Sequence, residues 1–246
     1  MTKNNNKKIL IINCGYPKAG STYVIENVIR ISKDINCINV NHNATLLYFF
    51  QSILNYKTTK FNYQYKKLRK ILNKSLTHNV NFFGYERSLN ISIETKKKFL
   101  FFKRLKKITD DLNLDLKLTI FLRDELEMIT SHYKESYFKL IFKNITFISF
   151  NKFIKSILNK KEKDLIKNLN YKFNIRKLYN IINKKNIFIN HFENLKNNEK
   201  NTFKLLMDFS KIKKFNINQL TRKPLNSSKN KKFYSLIKLR ISDYFF

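Results

Sequence analysis

Gly15-Tyr16-Pro17-Lys18-Ala19-Gly20-Ser21-Thr22 gathers two of the chain's three glycines, one of its two prolines, a lysine and two hydroxyls. Globular proteins average about 7% Gly and about 5% Pro. A chain this poor in both keeps them where backbone freedom is hard to replace. The segment follows the apolar run Ile9-Leu10-Ile11-Ile12 and precedes a helical pattern. A strand, a Gly-bounded loop and a helix start together aim backbone N–H groups and the positive end of a helix dipole at one point, which is how a phosphate is cradled. The amides of Ala19, Gly20, Ser21 and Thr22 are the expected donors. Gly15 and Gly20 keep the spacing of the kinase-type loop G-x-x-x-x-G-K-[ST], and Thr22 keeps its hydroxyl. Ser21, however, stands where that loop carries its lysine. The lysine is Lys18, inside the loop, where it sits over the bridging region of a transferred group rather than along a γ-phosphate. The same spacing also fits a plain strand-to-helix turn capped by a serine.

At these residues the chain resembles the sulfotransferase family. Pro17-Lys18-Ala19-Gly20-Ser21-Thr22 is similar to that family's P-K-[ST]-G-[ST]-T loop, which binds the 5′-phosphate side of 3′-phosphoadenosine 5′-phosphosulfate; Ala19 departs by one hydroxyl. The family's second signature is a strand ending in Arg, with a Ser eight residues on. Leu118 to Arg123, followed by Ser131, is similar to it. The resemblance implies that Arg123 and Ser131 hold the 3′-phosphate, a task to which a forked guanidinium is suited. The competing reading pairs Arg123 with Asp124 or Glu127 and leaves Ser131 an ordinary helical serine. Asn186 to Leu195 resembles the family's late strand and its x-[YF]-E-x-L turn, with Glu193 in a structural role. Arg222 and Lys223, ahead of Pro224-Leu225-Asn226-Ser227-Ser228, resemble a loop that closes over the nucleotide in some members. The resemblance spans about residues 8–230.

The implied reaction moves a sulfuryl group to an acceptor hydroxyl, on a carbohydrate or another small molecule. Such a transfer needs a group to accept the hydroxyl proton and positive charge where the leaving phosphate gains charge. Lys18 fits the second need. For the first, Glu86 is the candidate, at the end of Phe82-Phe83-Gly84-Tyr85-Glu86, with a surface Glu86–Arg87 neighbourhood as the competing reading. His42 is the second candidate. His132 reads as pointing along the helix surface or into the core, and His78 and His191 lack a constellation and read as loop residues. No metal is expected: a sulfuryl group carries less charge than a phosphoryl group, and no His/Cys cluster suits zinc.

The elements that must position these residues alternate. Strands are expected at 8–14, 36–40, 80–85, 116–122 and 186–189. Helices are expected near 21–32, 44–55, 63–75, 92–111, 125–141, 150–159 (capped by Ser149), 174–184, 199–210 and 229–241. The continuous apolar character of the first strand fits burial on both faces. The fold class is α/β: one domain, 8–246, with a mostly parallel sheet of about five strands flanked by helices, of the P-loop NTPase kind. The ligand crevice then lies at the carboxyl ends of the strands. Residues 1–7 read as disordered, and 41–78 as a helical, aromatic-rich insertion on the acceptor side.

The chain has 246 residues, of which 43% are hydrophobic, including 23 Phe and 13 Tyr, enough for a sizeable core. The formal charge of +33 invites nucleic acid or membrane as partner. Yet Lys, Asn, Ile, Phe and Tyr are abundant together while Ala, Gly, Pro and Trp are scarce, as an A+T-rich genome imposes on any coding sequence. The lysines run along the whole chain, so no dedicated nucleic-acid role is expected, and only a weak attraction to membrane surfaces. No stretch reaches the ~18 uncharged apolar residues of a membrane span; Phe138 to Phe150 is broken by Lys139, Lys143 and Asn144. The basic start leads into too short an apolar run for a secretion leader. Cys14 and Cys37 form no framework and read as packed free thiols. The expectation is a cytoplasmic, bacterial-type transferase. Two alternatives stand beside it: a P-loop kinase for a small metabolite, with Mg-ATP and Asp124 organising the metal, and a basic nucleic-acid-binding protein.

Overall fold

Ile9-Leu10-Ile11-Ile12-Asn13 form the central strand β1, buried at all five positions. An apolar run this continuous has no polar face to offer water, so it belongs where helices cover both sides of a parallel sheet. The computed structural model describes residues 7–16, 19–89, 93–125, 127–128, 130, 133, 149–152, 167–168 and 170–220. Within these, β1 is followed by α1 (Ser21–Ile31), β2 (Asn36–Asn39), a 3-10 turn at Val40–His42, α2 (Ala44–Asn55), α3 (Thr58–Ser75) and β3 (Val80–Gly84). A 3-10 turn at Glu86–Leu89, α4 (Thr95–Asp111) and β4 (Asp115–Leu122) come next. Then come α5 (Tyr171–Tyr179), β5 (Ile187–His191), α6 (Phe192–Asn197) and α7 (Glu199–Ser210).

The five strands pair in parallel in the order β2-β3-β1-β4-β5. The chain leaves β1 toward β3 and β2, then crosses back past it to β4. That reversal puts the topological switch at the carboxyl end of β1. The expected α/β architecture and all five strands are present, with ends shifted by one or two residues. Three helices differ more, α4 among them, which starts at Thr95 rather than near 92. α3 starts at Thr58, because α2 ends at Asn55 and only its C-cap Tyr56 and the N-cap Lys57 separate the two. α5 starts at Tyr171, because the Asn170 side chain accepts the Phe173 amide at 2.9 Å and caps it there. The Ser149 hydroxyl accepts the Lys152 amide at 3.3 Å, as a cap would. The helices expected at 125–141, 150–159 and 229–241 lie mostly or wholly outside the described residues.

Close contact fixes how α1 lies on the sheet. A Cβ built on Gly84 would stand 2.0 Å from Ile25 Cδ1. Only a residue without a side chain lets this helix settle on the end of β3. Ile25, Val24 and Val28 are buried there, each worth roughly 1.5–3 kcal/mol in apolar area removed from water. α4 reaches over α2 and α3 through a buried cation. Arg104 Nη1 donates to the Ile53 carbonyl in the last turn of α2 at 2.9 Å, and its guanidinium lies 4.5 Å from the Phe61 ring centroid. A positive charge at a helix C-terminus meets the negative end of its dipole.

Candidate functional site

Asn13 begins the site. It ends β1, is fully buried, and accepts a hydrogen bond from Thr119 Oγ1 of β4 at 2.9 Å. Its Nδ2 reaches the Ser21 carbonyl at 3.4 Å, tying the first residue of α1 to the sheet. On either side, the Tyr85 amide donates to the Asn13 carbonyl and the Cys14 amide to the Thr119 carbonyl, both at 3.0 Å. These bonds extend the ladders one residue past the strands, so the loop after β1 springs from a rigid base.

The far end of the loop is the N-terminus of α1. Gly20 is its N-cap, with φ 80° and ψ 16°, a left-handed conformation that a residue with a Cβ adopts only with strain. No side chain caps this end and no acidic residue lies in the first turn. A helix start without a carboxylate keeps its positive end for another anion. Ser21 is buried, while Thr22 is half-buried beside it. The Ala19 amide donates to the Tyr16 carbonyl at 3.2 Å. It closes the loop on itself, and the expected cradle shortens to Gly20, Ser21 and Thr22. Pro17 and Lys18 lie outside the described residues.

Two aromatic residues join this loop to Arg123. Phe192, the first residue of α6, packs so closely that a Cβ on Gly20 would meet its Cε2 at 2.8 Å. The Arg123 guanidinium lies 5.2 Å from the centroid of the same ring. On the other side Tyr16, buried, meets Tyr171 edge-on with centroids 4.6 Å apart. The Tyr171 hydroxyl donates to the Arg123 carbonyl at 2.8 Å. Burial pushes both phenols well above their ordinary pKa, so they stay neutral donors. The described flanks of the loop and the strand tip bearing Arg123 thus share one edge of the sheet.

Arg123 is not idle. Its Nε pairs with Glu127 Oε2 at 2.9 Å, one helical turn on. This is the Glu127 pairing that the sequence allowed. Asp124 caps the helix start instead, its Oδ1 accepting the Glu127 amide at 2.9 Å. Ser131, Arg222 and Lys223 lie outside the described residues.

The two base candidates stand apart. Glu86 opens the turn directly after β3, adjacent to β1; its backbone is at the edge, and its side chain lies outside the described residues. His42 ends the turn after β2 and is exposed. β2 is two strands from β1, or about 10 Å at the usual strand spacing. Tyr85, between Gly84 and Glu86, is buried and stacks on Phe50 at 4.7 Å and Phe101 at 5.7 Å. That stack anchors α2 and α4 beneath the edge. Glu193 follows Phe192 in the first turn of α6, where a carboxylate complements the dipole. Phe192 was read from the sequence only as the aromatic of the turn that resembles x-[YF]-E-x-L, and Tyr171 was not singled out. Only the fold brings either of them to the loop. Among the described residues no group of three His, Cys, Asp or Glu could hold a metal ion. No helix among them is long and apolar enough to cross a membrane.

No protein-family model matches the sequence, and no curated protein matches it significantly. Solved structures do. A sulfotransferase from Alicyclobacillus acidocaldarius superposes with a TM-score of 0.54 at 11% identity, over 87% of this chain and 86% of that one. A mouse sulfotransferase complexed with PAP gives 0.48 at 13% identity, over 83% of this chain and 59% of that one. The sulfotransferase domain of the Synechococcus PCC 7002 olefin synthase gives 0.48 at 14% identity, over 92% and 82%. The first of these establishes the fold: this chain has the sulfotransferase fold, a P-loop NTPase-like α/β domain.

Proposed function

We propose that the chain is a sulfotransferase, moving a sulfuryl group from 3′-phosphoadenosine 5′-phosphosulfate to an acceptor hydroxyl on a carbohydrate or other small molecule. The observation that carries the reading is the double aromatic bridge. Phe192 and Tyr171 each touch both the described flanks of the loop and Arg123. Gly20 and Tyr16, which flank the loop, lie near Arg123 through these contacts, and that nearness supports one anion site built from both segments.

In this reading the Gly20, Ser21 and Thr22 amides take the 5′-phosphate side. Arg123, with Ser131, takes the 3′-phosphate, and the ligand phosphate replaces Glu127 as partner of the guanidinium. Arg222 and Lys223 close over the nucleotide. The acceptor oxygen attacks sulfur, the bond from sulfur to the bridging oxygen breaks, and Lys18 meets the charge that grows on that oxygen. The acceptor proton passes to Glu86, with His42 as second candidate. Asp124 is engaged as a helix cap, which weighs against a metal-organising role in a kinase. Two unpaired cysteines fit a reducing cytoplasm.

Thermal melting tests the reading. 3′,5′-Adenosine bisphosphate at about 100 times its dissociation constant should stabilise by roughly 2.7 kcal/mol. A shift with Mg-ATP or an oligonucleotide instead would overturn it.

A further inference from the structure

No Asp or Glu stands between Asp34 and Glu86, while seven Lys or Arg do. Lysine is plentiful everywhere in this chain, so the informative part is the missing acid. The segment includes α3, on which Lys67, Lys70 and Lys74 follow at i, i+3 and i+7 and share one face. At 1.5 Å per residue they are spaced roughly 4.5 and 6 Å along the axis. All three are exposed, and all three line a groove of about 440 Å³ between α3 and the outer edge of β2. Asn36 lines its lower end, and Asn43 and Thr45 line the end next to His42. None of the residues lining it is acidic.

Two phenols stand near Lys67, one of the lining lysines. Lys67 stands 5.4 Å from the Tyr48 ring centroid, and Lys60 stands 4.5 Å from that of Tyr56. The two phenol oxygens are 3.0 Å apart. The Tyr56 phenol is held below its ordinary pKa first by hydrogen bonds from Ser52 and Tyr48, with the ammonium groups of Lys60 and Lys67 as lesser causes. One face of each ring already carries an ammonium, which leaves it poorly suited to stacking a nucleobase. The volume lies in the range of small-molecule sites and is too small for a nucleic-acid duplex.

We propose that this groove is a second anion site, which binds a small polyanion carrying two or three carboxylate, sulfate or phosphate groups about 5 Å apart. Asn43 and Thr45, just after the turn that ends in His42, line part of it. In the proposed reaction the bound molecule is the acceptor, or the part of it that is not sulfated. Calling it the acceptor rests on the function proposed above; the anion site does not.

The test is calorimetric titration of the full chain with a disulfated disaccharide, with inorganic tripolyphosphate, and with a single-stranded DNA 12-mer, at about 0.1 M salt. Both small polyanions are expected to bind. The triple variant Lys67→Gln, Lys70→Gln, Lys74→Gln should lose at least tenfold in affinity for both. A control triple of equal charge change on exposed positions elsewhere, Lys200→Gln, Lys204→Gln, Lys213→Gln, should lose less than threefold. The tighter of the two small probes names the source, acidic sugar or phosphorylated metabolite. Equal losses in the two triples would overturn the site. So would DNA binding tenfold tighter than either small probe and abolished by the groove variant. The melting shift with 3′,5′-adenosine bisphosphate should persist in the groove variant. Its absence in the unmodified chain would sink the transferase reading and leave the groove result standing.

Discussion

The Arg123 guanidinium sits 5.2 Å from the centre of the Phe192 ring, and a Cβ on Gly20 would meet Cε2 of the same ring at 2.8 Å. One aromatic side chain thus spaces the tip of β4 from the start of α1. A ligand gripping both would depend on that spacing.

Removing the spacer should loosen the site more than the fold. Phe192 is half-buried, so Phe192→Ala should cost about 1–2 kcal/mol of stability, below the 3–5 typical of a core Phe. The affinity for 3′,5′-adenosine bisphosphate should fall about tenfold, read by calorimetry and corrected for any unfolded fraction. Undiminished affinity would show that Phe192 sets nothing at the site.

Gly20 carries two constraints at once. Its positive φ costs a residue with a Cβ about 1–2 kcal/mol, and the Cβ would press on Phe192 at 2.8 Å. Gly20→Ala should therefore destabilise by at least about 2 kcal/mol in urea melts. Combined with Phe192→Ala, part of that loss should return, because one of the two constraints has gone.

Glu127 competes with any anion for Arg123. Its carboxylate is half-exposed, at 49%, and the guanidinium is exposed to 20%. A pair so open to water is worth about 0.2–1 kcal/mol. Glu127→Gln should tighten bisphosphate binding about two- to fivefold, an amount titration resolves. A weaker complex would mean that Glu127 orients the guanidinium rather than competing for it.

Lys18→Ala separates chemistry from binding. If Lys18 meets charge on the leaving oxygen, turnover should drop by a factor of about 100 or more, with the melting temperature within a few degrees of the parent. A near-normal rate would remove Lys18 from the mechanism.

The thiols predict an alkaline weakness. Burial pushes both Cys14 and Cys37 up to about 12, against about 8.5 in an unfolded chain. The folded state holds the protons that the unfolded state has already released. Stability is therefore fully present below about pH 8.5 and declines as pH rises toward 12, by up to about 1.4 kcal/mol per unit for each thiol. Urea melts from pH 8 to 10.5 would show it. Replacing Cys37 by Ala or Val should flatten the slope. Native thiol labelling at pH 8 should be slow at both positions.

β1 was legible because it is a short apolar run bounded by polar residues, a pattern that a parallel sheet rewards locally; β2, Asn-Cys-Ile-Asn, carries that signal only weakly. The loop after β1 was legible for the opposite reason: in a chain with three glycines, two of them five positions apart mark a place where the backbone must do something particular. Arg123 could be placed at a strand end by counting. The start of α5 at Tyr171 was missed, because the Asn170 cap competes with many other asparagines in an Asn-rich chain.

What sequence alone determined is the set of elements and the type of chemistry that their ends can perform, since both follow from residues within a few positions of one another. Tertiary structure alone decided which ends meet. Phe192 reaches Gly20 across 172 positions, Tyr171 bonds the Arg123 carbonyl across 48, and the lysines of α3 face the bare edge of β2. Those meetings depend on the order in which strands enter the sheet, and that order is settled by the packing of the whole chain.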